Sequence, residues 1–503
     1  MSVGLGGRAA RGAAVTLAAQ AVRMVIQLLG VIILSRLLDA FAYGLIAMAL
    51  AIVAFGEIFR DFGLSSAAIQ SSKLTRVERS NLFWLNGGIG LILAVIVFLC
   101  APLVARIYGY PEVEGIIRAL ATVFLLNGLT TQYRASLVRE LRFTAVATAE
   151  ISSAGTGLIL AVACALGGLG YWALVIQQLA SAAVLLLCMV AMSRWFPSLY
   201  DRRVSVRRFM RFGVNLLGSQ IVNYAANNVD TWTIGIRFGA STLGFYNRAF
   251  QLLMTPMGQI RTPSTTVALP VLSQLRDDQP RFERFVRQGQ LALALPVGLA
   301  MGIVVGCASV LIPVMLTDEW NASIPYLRLF AVAALFQTLA FVGYWIYLAR
   351  GLTDALFRFS VVSALLKVAC ILAGSYWGPL GLAIGYAVSP MLQWPISLWW
   401  LSRKTPIPQR ALYGNAFRVV AQATFVGCAT YIATTLSANL SAIVSLILGG
   451  VAGIVAYGIL VAVVPAFRDD LRQVLSMASM VRRRSNGSPT ENESPDSSKE
   501  GLN

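Results

Sequence analysis

The stretch TLAAQAVRMVIQLLGVIILS, residues 16–35, decides what kind of molecule this is. Nearly every residue in it is apolar, and its length is that of a helix crossing a hydrocarbon layer about 30 Å thick. One arginine, Arg23, stands near its middle, with Gln20 and Gln27 on the same helical face. A charge at that depth is costly unless it faces protein or water. The stretch is too long for a signal-peptide core, so it reads as a retained span.

The same pattern recurs along the rest of the chain. Apolar runs of spanning length fall at about 12–35, 41–62, 82–105, 115–136, 145–167, 170–193, 212–236, 243–269, 289–316, 324–348, 356–377, 380–401, 412–436 and 441–464. The expectation is therefore an all-α integral membrane protein with about 14 transmembrane helices. Composition agrees, because 57% of the 503 residues are hydrophobic and only 12% charged, against roughly 25% charged in soluble domains. Histidine is absent, which removes the commonest general base and metal ligand near neutral pH. A zinc site or a Ser-His-Asp triad is excluded or badly handicapped, and neither metal nor cofactor is expected. The six cysteines (Cys100, Cys164, Cys188, Cys307, Cys370 and Cys428) lie far apart in apolar runs. They read as small buried hydrophobes with no disulfide framework.

The net charge of +18 follows from topology. Basic residues cluster at Arg8 and Arg11, Lys73 to Arg79, Arg134 to Arg142, Arg194 to Arg211, Arg276 to Arg287, Arg350 and Arg358, and Arg403 to Arg410, all on the side of the N-terminus. The other side holds Arg36, Arg106, Arg118, Arg237 and Arg328. The positive-inside rule then places both termini in the cytoplasm, and anionic lipid headgroups are the natural partners of the basic loops. Nucleic acid is not an expected partner, since no solvated basic domain exists to hold it. Every loop is short, which argues against a membrane glycosyltransferase or polymerase with an external catalytic domain.

An internal repeat organises the spans. Gln20, Arg23 and Gln27 of the first span recur as Gln220, Asn223 and Asn227 of the seventh, shifted by 200 residues. At the next turn Tyr43-Gly44 corresponds to Leu243-Gly244. Later, Arg118 matches Arg328 and Gly168-Leu-Gly170 matches Gly378-Pro-Leu-Gly381. Six helices per unit leave the two units parallel, the arrangement of transporters that bind substrate between halves. The reading is a six-helix lobe over 1–200, a second over 201–403, two further helices over 404–466, and a cytoplasmic, largely disordered tail over 467–503.

The segments LGFYNRAFQLLMTP (243–256), VALPVLSQLRDD (267–278), LRLFAVAALFQTL (327–339), WGPLGLAIGYAV (377–388) and SRLLDAFAYGLIAMALAIVAFGEIFRDFGLSSAAIQ (35–70) resemble oligosaccharide flippases. These form the polysaccharide-transporter branch of the multidrug/oligosaccharidyl-lipid/polysaccharide exporter superfamily. The resemblance implies two six-helix lobes around a central cavity in the cytoplasmic membrane. It also implies transfer of polyprenyl-pyrophosphate-linked sugar units to the outer leaflet, with glycosyltransferases or a polysaccharide polymerase as neighbours and no enzyme chemistry.

A carrier of such a lipid needs a cation for the pyrophosphate and a polar cavity for the sugars. Arg23, flanked by Gln20 and Gln27, is the pyrophosphate candidate, because guanidinium donates paired hydrogen bonds to phosphate. The plain alternative is an arginine held by a carboxylate such as Glu57 on the hairpin partner. Asn215, Ser219, Asn223 and Asn227 recur every four residues on the seventh span, with Gln220 beside them. Amides both donate to and accept from sugar hydroxyls, although the same stripe would also hold helices together. Lys367 in the eleventh span is a second phosphate contact or a lysine reaching for the interface. Asp230 and Arg248 sit at similar depth on adjacent spans and read as a buried ion pair or, for Asp230, a coupling-ion site. Asp61 and Arg261, related by the shift of 200, are candidates to meet across the axis when the inner gate closes. A multidrug cation antiporter of the same superfamily is the nearest rival, and would want an acidic cavity. A membrane scaffold for glycan assembly is the other, and would not need polar stripes in both halves.

Overall fold

The computed structural model describes residues 5–61, 75–201, 203 and 207–486, except the side chains at 5–11, 13, 60–61, 207–219, 222–223, 260–263 and 476–486. Among these residues every regular element is helical. Six helices come first: α1 (Leu5–Ser35), α2 (Ala40–Asp61), α3 (Arg76–Tyr108), α4 (Glu112–Arg139), α5 (Phe143–Leu166) and α6 (Trp172–Ser193). The long α7 (Arg207–Gln274) follows, then α8 (Gln279–Met315), a 3₁₀ turn (Asp318–Ser323) and α9 (Ile324–Ala349). Next come α10 (Thr353–Gly374), a second 3₁₀ turn (Ser375–Trp377) and α11 (Gly378–Ser402). The chain ends with α12 (Gln409–Leu436), α13 (Ala442–Val463) and α14 (Pro465–Asn486).

Among the described residues eleven helical stretches are long and apolar enough to cross a membrane, against the fourteen runs read from the sequence. Two features lie behind the difference. One of the eleven, Thr353–Ser402, contains both α10 and α11, and α7 is too polar to qualify. The spans turn their apolar side chains outward, with Leu99, Ile159 and Leu187 each about two-thirds exposed. Polar groups such as Asn81, Asn415 and Gln422 lie buried inside, donating to the carbonyls of Asp201, Arg287 and Leu295. That inversion suits a bilayer, where the outer face meets acyl chains and polar groups must find partners within.

Gly239 breaks α7, with φ 84° and ψ 175°, a conformation reached without strain only by glycine. The freed N–H of Ala240 donates to Tyr110 Oη at 3.1 Å. Across the break the two limbs, 207–238 and 240–274, fold back so that Tyr246 Oη donates to Asp230 Oδ2 at 2.7 Å. In an unbroken helix residues sixteen apart would be about 24 Å distant.

α1 runs along α5 instead of along α2, its neighbour in sequence, while α2 packs on α7 across the break, its first turns against the second limb and Ala51 and Phe55 against Tyr224 of the first. That α2–α7 crossing joins the two repeats, and it is reciprocal. A Cβ added to Gly44 would lie 1.8 Å from the Ala240 carbonyl oxygen, and one added to Gly244 would lie 1.9 Å from that of Ala40. The 200-residue shift relates both pairs, so the crossing has the two-fold character that a parallel repeat implies. The turns before α6 and before α11 also correspond, since Gly168 and Gly378 both have positive φ. Within the segment 467–503, α14 carries helix through Asn486, and 487–503 lie outside the described residues. Asp470 of α14 is buried and accepts two hydrogen bonds from Arg418 of α12, at 2.5 and 2.9 Å.

Candidate functional site

Two cavities flank the second limb of α7, and Thr255 lines both. The first, about 510 Å³, lies among α1, α2, α5, α6 and α7. Its wall carries Arg23 and Gln27 from α1, Glu150 from α5, Gln177 and Gln178 from α6, and Arg248 from α7. The second, about 600 Å³, lies among α7, α9, α10 and α11. Its wall is aromatic and polar together, with Phe341, Tyr344, Phe359 and Tyr386 beside Gln393 and Lys367.

Arg23 is held from the side. Its Nη1 lies 2.5 Å from Glu150 Oε2, and the other carboxylate oxygen of Glu150 accepts from Arg134 at 3.1 and 3.3 Å. The anticipated partner Glu57 is elsewhere, accepting from Asn127 at 3.0 Å. The packing is the reason, since α1 lies on α5, which carries Glu150. Gln27 shares the cavity with Arg23, whereas Gln20 donates to Gln259 of α7 and is not part of the cavity wall.

Arg248 and Asp230 do not pair, contrary to the reading from their equal depth. Asp230 is satisfied within α7 by Tyr246 and by the backbone N–H of Thr231. Arg248 instead points across to α2, where its guanidinium carbon lies 3.3 Å from the Tyr43 ring centre, and it donates to Gln251 at 2.9 Å. It is buried with no carboxylate partner among the described residues. A desolvated guanidinium on an aromatic face gains about 2 kcal/mol, which offsets only part of the cost of burying its charge.

In the second cavity Lys367 Nζ donates to Asn227 Oδ1 at 3.0 Å and stands 5.1 Å from the Tyr386 ring centre. Gln220 is half-buried and lines neither cavity. The side chains of Asn215, Ser219, Asn223, Asp61 and Arg261 lie outside the described residues.

A cluster of contacts lies at the end of the bundle where α1 gives way to α2. Trp320 Nε1 donates to the Ser35 carbonyl at 2.8 Å, and its ring meets Tyr43 and Phe245 edge-on at 5.6 and 5.8 Å. Arg36 donates to the Val314 carbonyl at 2.6 Å. Tyr43 therefore touches the cavity cation Arg248 on its face and Trp320 at its edge.

Residues 33–325 match the family described as polysaccharide biosynthesis protein. The chain belongs to that family. The chain is 26% identical over 362 residues to the lipopolysaccharide biosynthesis protein WzxC of Escherichia coli, which covers 70% of this chain and 73% of that one. It is 27% identical over 354 residues to the succinoglycan biosynthesis transport protein ExoT of Rhizobium meliloti, covering 69% and 70%. Among solved structures it resembles the lipid II flippase MurJ with a TM-score of 0.68 at 12% identity, covering 89% of this chain and 98% of that one. It has the fold of that group and is a multi-pass membrane protein.

Sequence reasoning passed over Glu150, Gln177, Gln178 and the Tyr43–Arg248 contact. The first three carried a signal, being an ionisable group inside the fifth span and paired amides inside the sixth. The fourth did not, because Tyr43 lies near a loop end and only the α2–α7 crossing brings it to Arg248.

Proposed function

We propose that this protein is a flippase that carries polyprenyl-diphosphate-linked oligosaccharide across the cytoplasmic membrane for cell-surface polysaccharide synthesis. The observation that supports this best is a cavity between the two repeats with two guanidinium groups, Arg23 and Arg248, in its wall. Guanidinium donates in parallel to phosphate oxygens, and a partly desolvated site strengthens each bond. The neighbouring cavity, with rings and amides in one wall, suits sugars, which stack their C–H faces on aromatics and exchange hydrogen bonds with amides. Asn227 and Lys367 belong to that compartment, and Asn215, Ser219, Gln220 and Asn223 share its helix. The names of the relatives, which concern lipopolysaccharide biosynthesis and succinoglycan biosynthesis transport, point the same way.

In this reading the lobes, divided near residue 200, rock about the α2–α7 crossing, and both termini lie in the cytoplasm. Asp61 and Arg261 are then candidates for the cytoplasmic gate. No covalent step is assigned to the chain. Deleting the gene should make lipid-linked intermediates accumulate in the inner leaflet. Wild-type protein should clear them, Arg23→Ala should fail to do so at equal expression, and Arg23→Lys should rescue weakly because it offers a point charge in place of a fork. Unchanged intermediates with raised sensitivity to cationic drugs would instead favour an antiporter.

A further inference from the structure

Glu150 has no role in the reading above, yet it lies in the cavity wall beside the proposed diphosphate site. We infer that Glu150 is a resident counter-ion of Arg23 that competes with the diphosphate for the same guanidinium and so sets how tightly the carrier holds its cargo. The inference rests on the diphosphate reading of Arg23.

Three observations carry it. Both members of the Arg23–Glu150 pair line the cavity, so the bond faces the space the cargo would enter. Both oxygens of Glu150 are engaged, one by Arg23 and one by Arg134 at the rear, so the carboxylate is anchored even when Arg23 turns away. Arg134 is not part of the cavity wall. The other cation there, Arg248, is neutralised by no carboxylate among the described residues. One guanidinium is thus occupied by an internal anion and one is open to an arriving anion.

A diphosphate approaching Arg23 meets a carboxylate already bonded to Nη1. Like charges at that spacing repel, and guanidinium cannot serve both at full strength. The cargo must displace Glu150, which stays on Arg134, and on release Glu150 returns to Arg23. Exchange of one anion for another keeps Arg23 paired in both the empty and the loaded state, which avoids an uncompensated half-buried charge. It also limits affinity, and a carrier that binds too tightly does not let go. Arg23 on α1 and Glu150 on α5 belong to neighbouring helices, so the exchange would also loosen α1 from α5 on loading.

The test uses the full chain in detergent micelles with undecaprenyl diphosphate as probe, binding being followed by intrinsic tryptophan fluorescence. Glu150→Gln removes the competing charge with little change of shape. It should tighten binding on the order of tenfold, while slowing clearance of lipid-linked intermediates in cells. Arg134→Ala should act oppositely and weaken binding, because Glu150 is then left wholly to Arg23. In an Arg23→Ala background Glu150→Gln should bring no gain. Binding by folded Glu150→Gln that equals or falls below wild type, with Arg23→Ala still defective, would overturn the inference and leave the diphosphate reading standing. Binding unaffected by Arg23→Ala would instead overturn the diphosphate reading itself. If Glu150→Gln does not fold, the sign of the Arg134→Ala effect decides.

Discussion

Substituting Gly44 by alanine tests the crossing between the repeats. The added Cβ would sit 1.8 Å from the Ala240 carbonyl oxygen, and real Cβ atoms essentially never come within 3.0 Å of a neighbour. The helices must therefore part by about 1.2 Å at the least. Backbone against backbone cannot yield by a rotamer change, so the cost falls on the packed state, at about 1–3 kcal/mol. If the crossing closes the outer side, that cost shifts the balance toward the outward-open form by roughly 5- to 150-fold. The assay is labelling of Asn247→Cys, in the wall of the Arg23 cavity, by a membrane-impermeant maleimide added to whole cells lacking the native cysteines. Gly44→Ala should label faster than its parent. Gly88→Ala, where an added Cβ meets nothing within 4 Å, should not. Gly244→Ala should behave like Gly44→Ala, and the double variant should cost much less than the two together, because one separation relieves both clashes. Parental labelling in a folded Gly44→Ala protein, or full additivity of the pair, would refute the assignment of this crossing as a closure.

Two further outcomes follow from the same contacts. Trp320→Phe keeps the ring against Tyr43 and Phe245 but removes the hydrogen bond to the Ser35 carbonyl. It should cost about 1 kcal/mol and raise labelling of Asn247→Cys in the same direction as Gly44→Ala, by less. Asp470→Asn breaks a charge-assisted pair between α14 and α12 in which the carboxylate is buried and Arg418 partly exposed. It should destabilise the detergent-solubilised protein by about 1–3 kcal/mol, read as a lowered thermal midpoint, while leaving undecaprenyl diphosphate binding unchanged.

Much of the helix order was legible because each span carries its own length and apolar signal, and because Gly44 and Gly244 stand at the same place in both repeats. Arg23 was legible for a related reason, being a lone charge among some twenty apolar residues. Its partner was not. The hairpin assumption pointed to Glu57 on the next helix, but neighbours in a bundle need not be neighbours in sequence, and α1 lies on α5. Asp230 and Arg248 failed in a second way. Equal depth says nothing about azimuth, and the α7 limbs turn Asp230 inward to Tyr246 while Arg248 faces α2. The polarity of α7 was visible as a stripe of amides and its two limbs as the separate runs 212–236 and 243–269, but not that the turn between them would be made at a single glycine, Gly239. α14 was hidden by composition, since 467–503 as a whole is polar, and the burial of Phe467 and of Asp470 against Arg418 marks where it docks.

Charge accounting within the cavities bears on the rival reading as a cation antiporter. A cationic drug needs an anion free to meet it, because a positive charge leaving water without a partner is costly. Among the described residues the Arg23 cavity offers one carboxylate in its wall, Glu150, and both its oxygens are already taken by arginines. Asp230 is enclosed by Tyr246 and the Thr231 amide, and it lines neither cavity. Among the described residues the second cavity contributes Lys367 and no acidic side chain. A cation entering either space would meet guanidinium or ammonium before it met a free carboxylate. An anion meets the reverse, with Arg248 open and Arg23 obtainable by exchange. Within the same fold, then, the sign of the charge left available in the cavity wall favours a phosphate-bearing cargo over a cationic one.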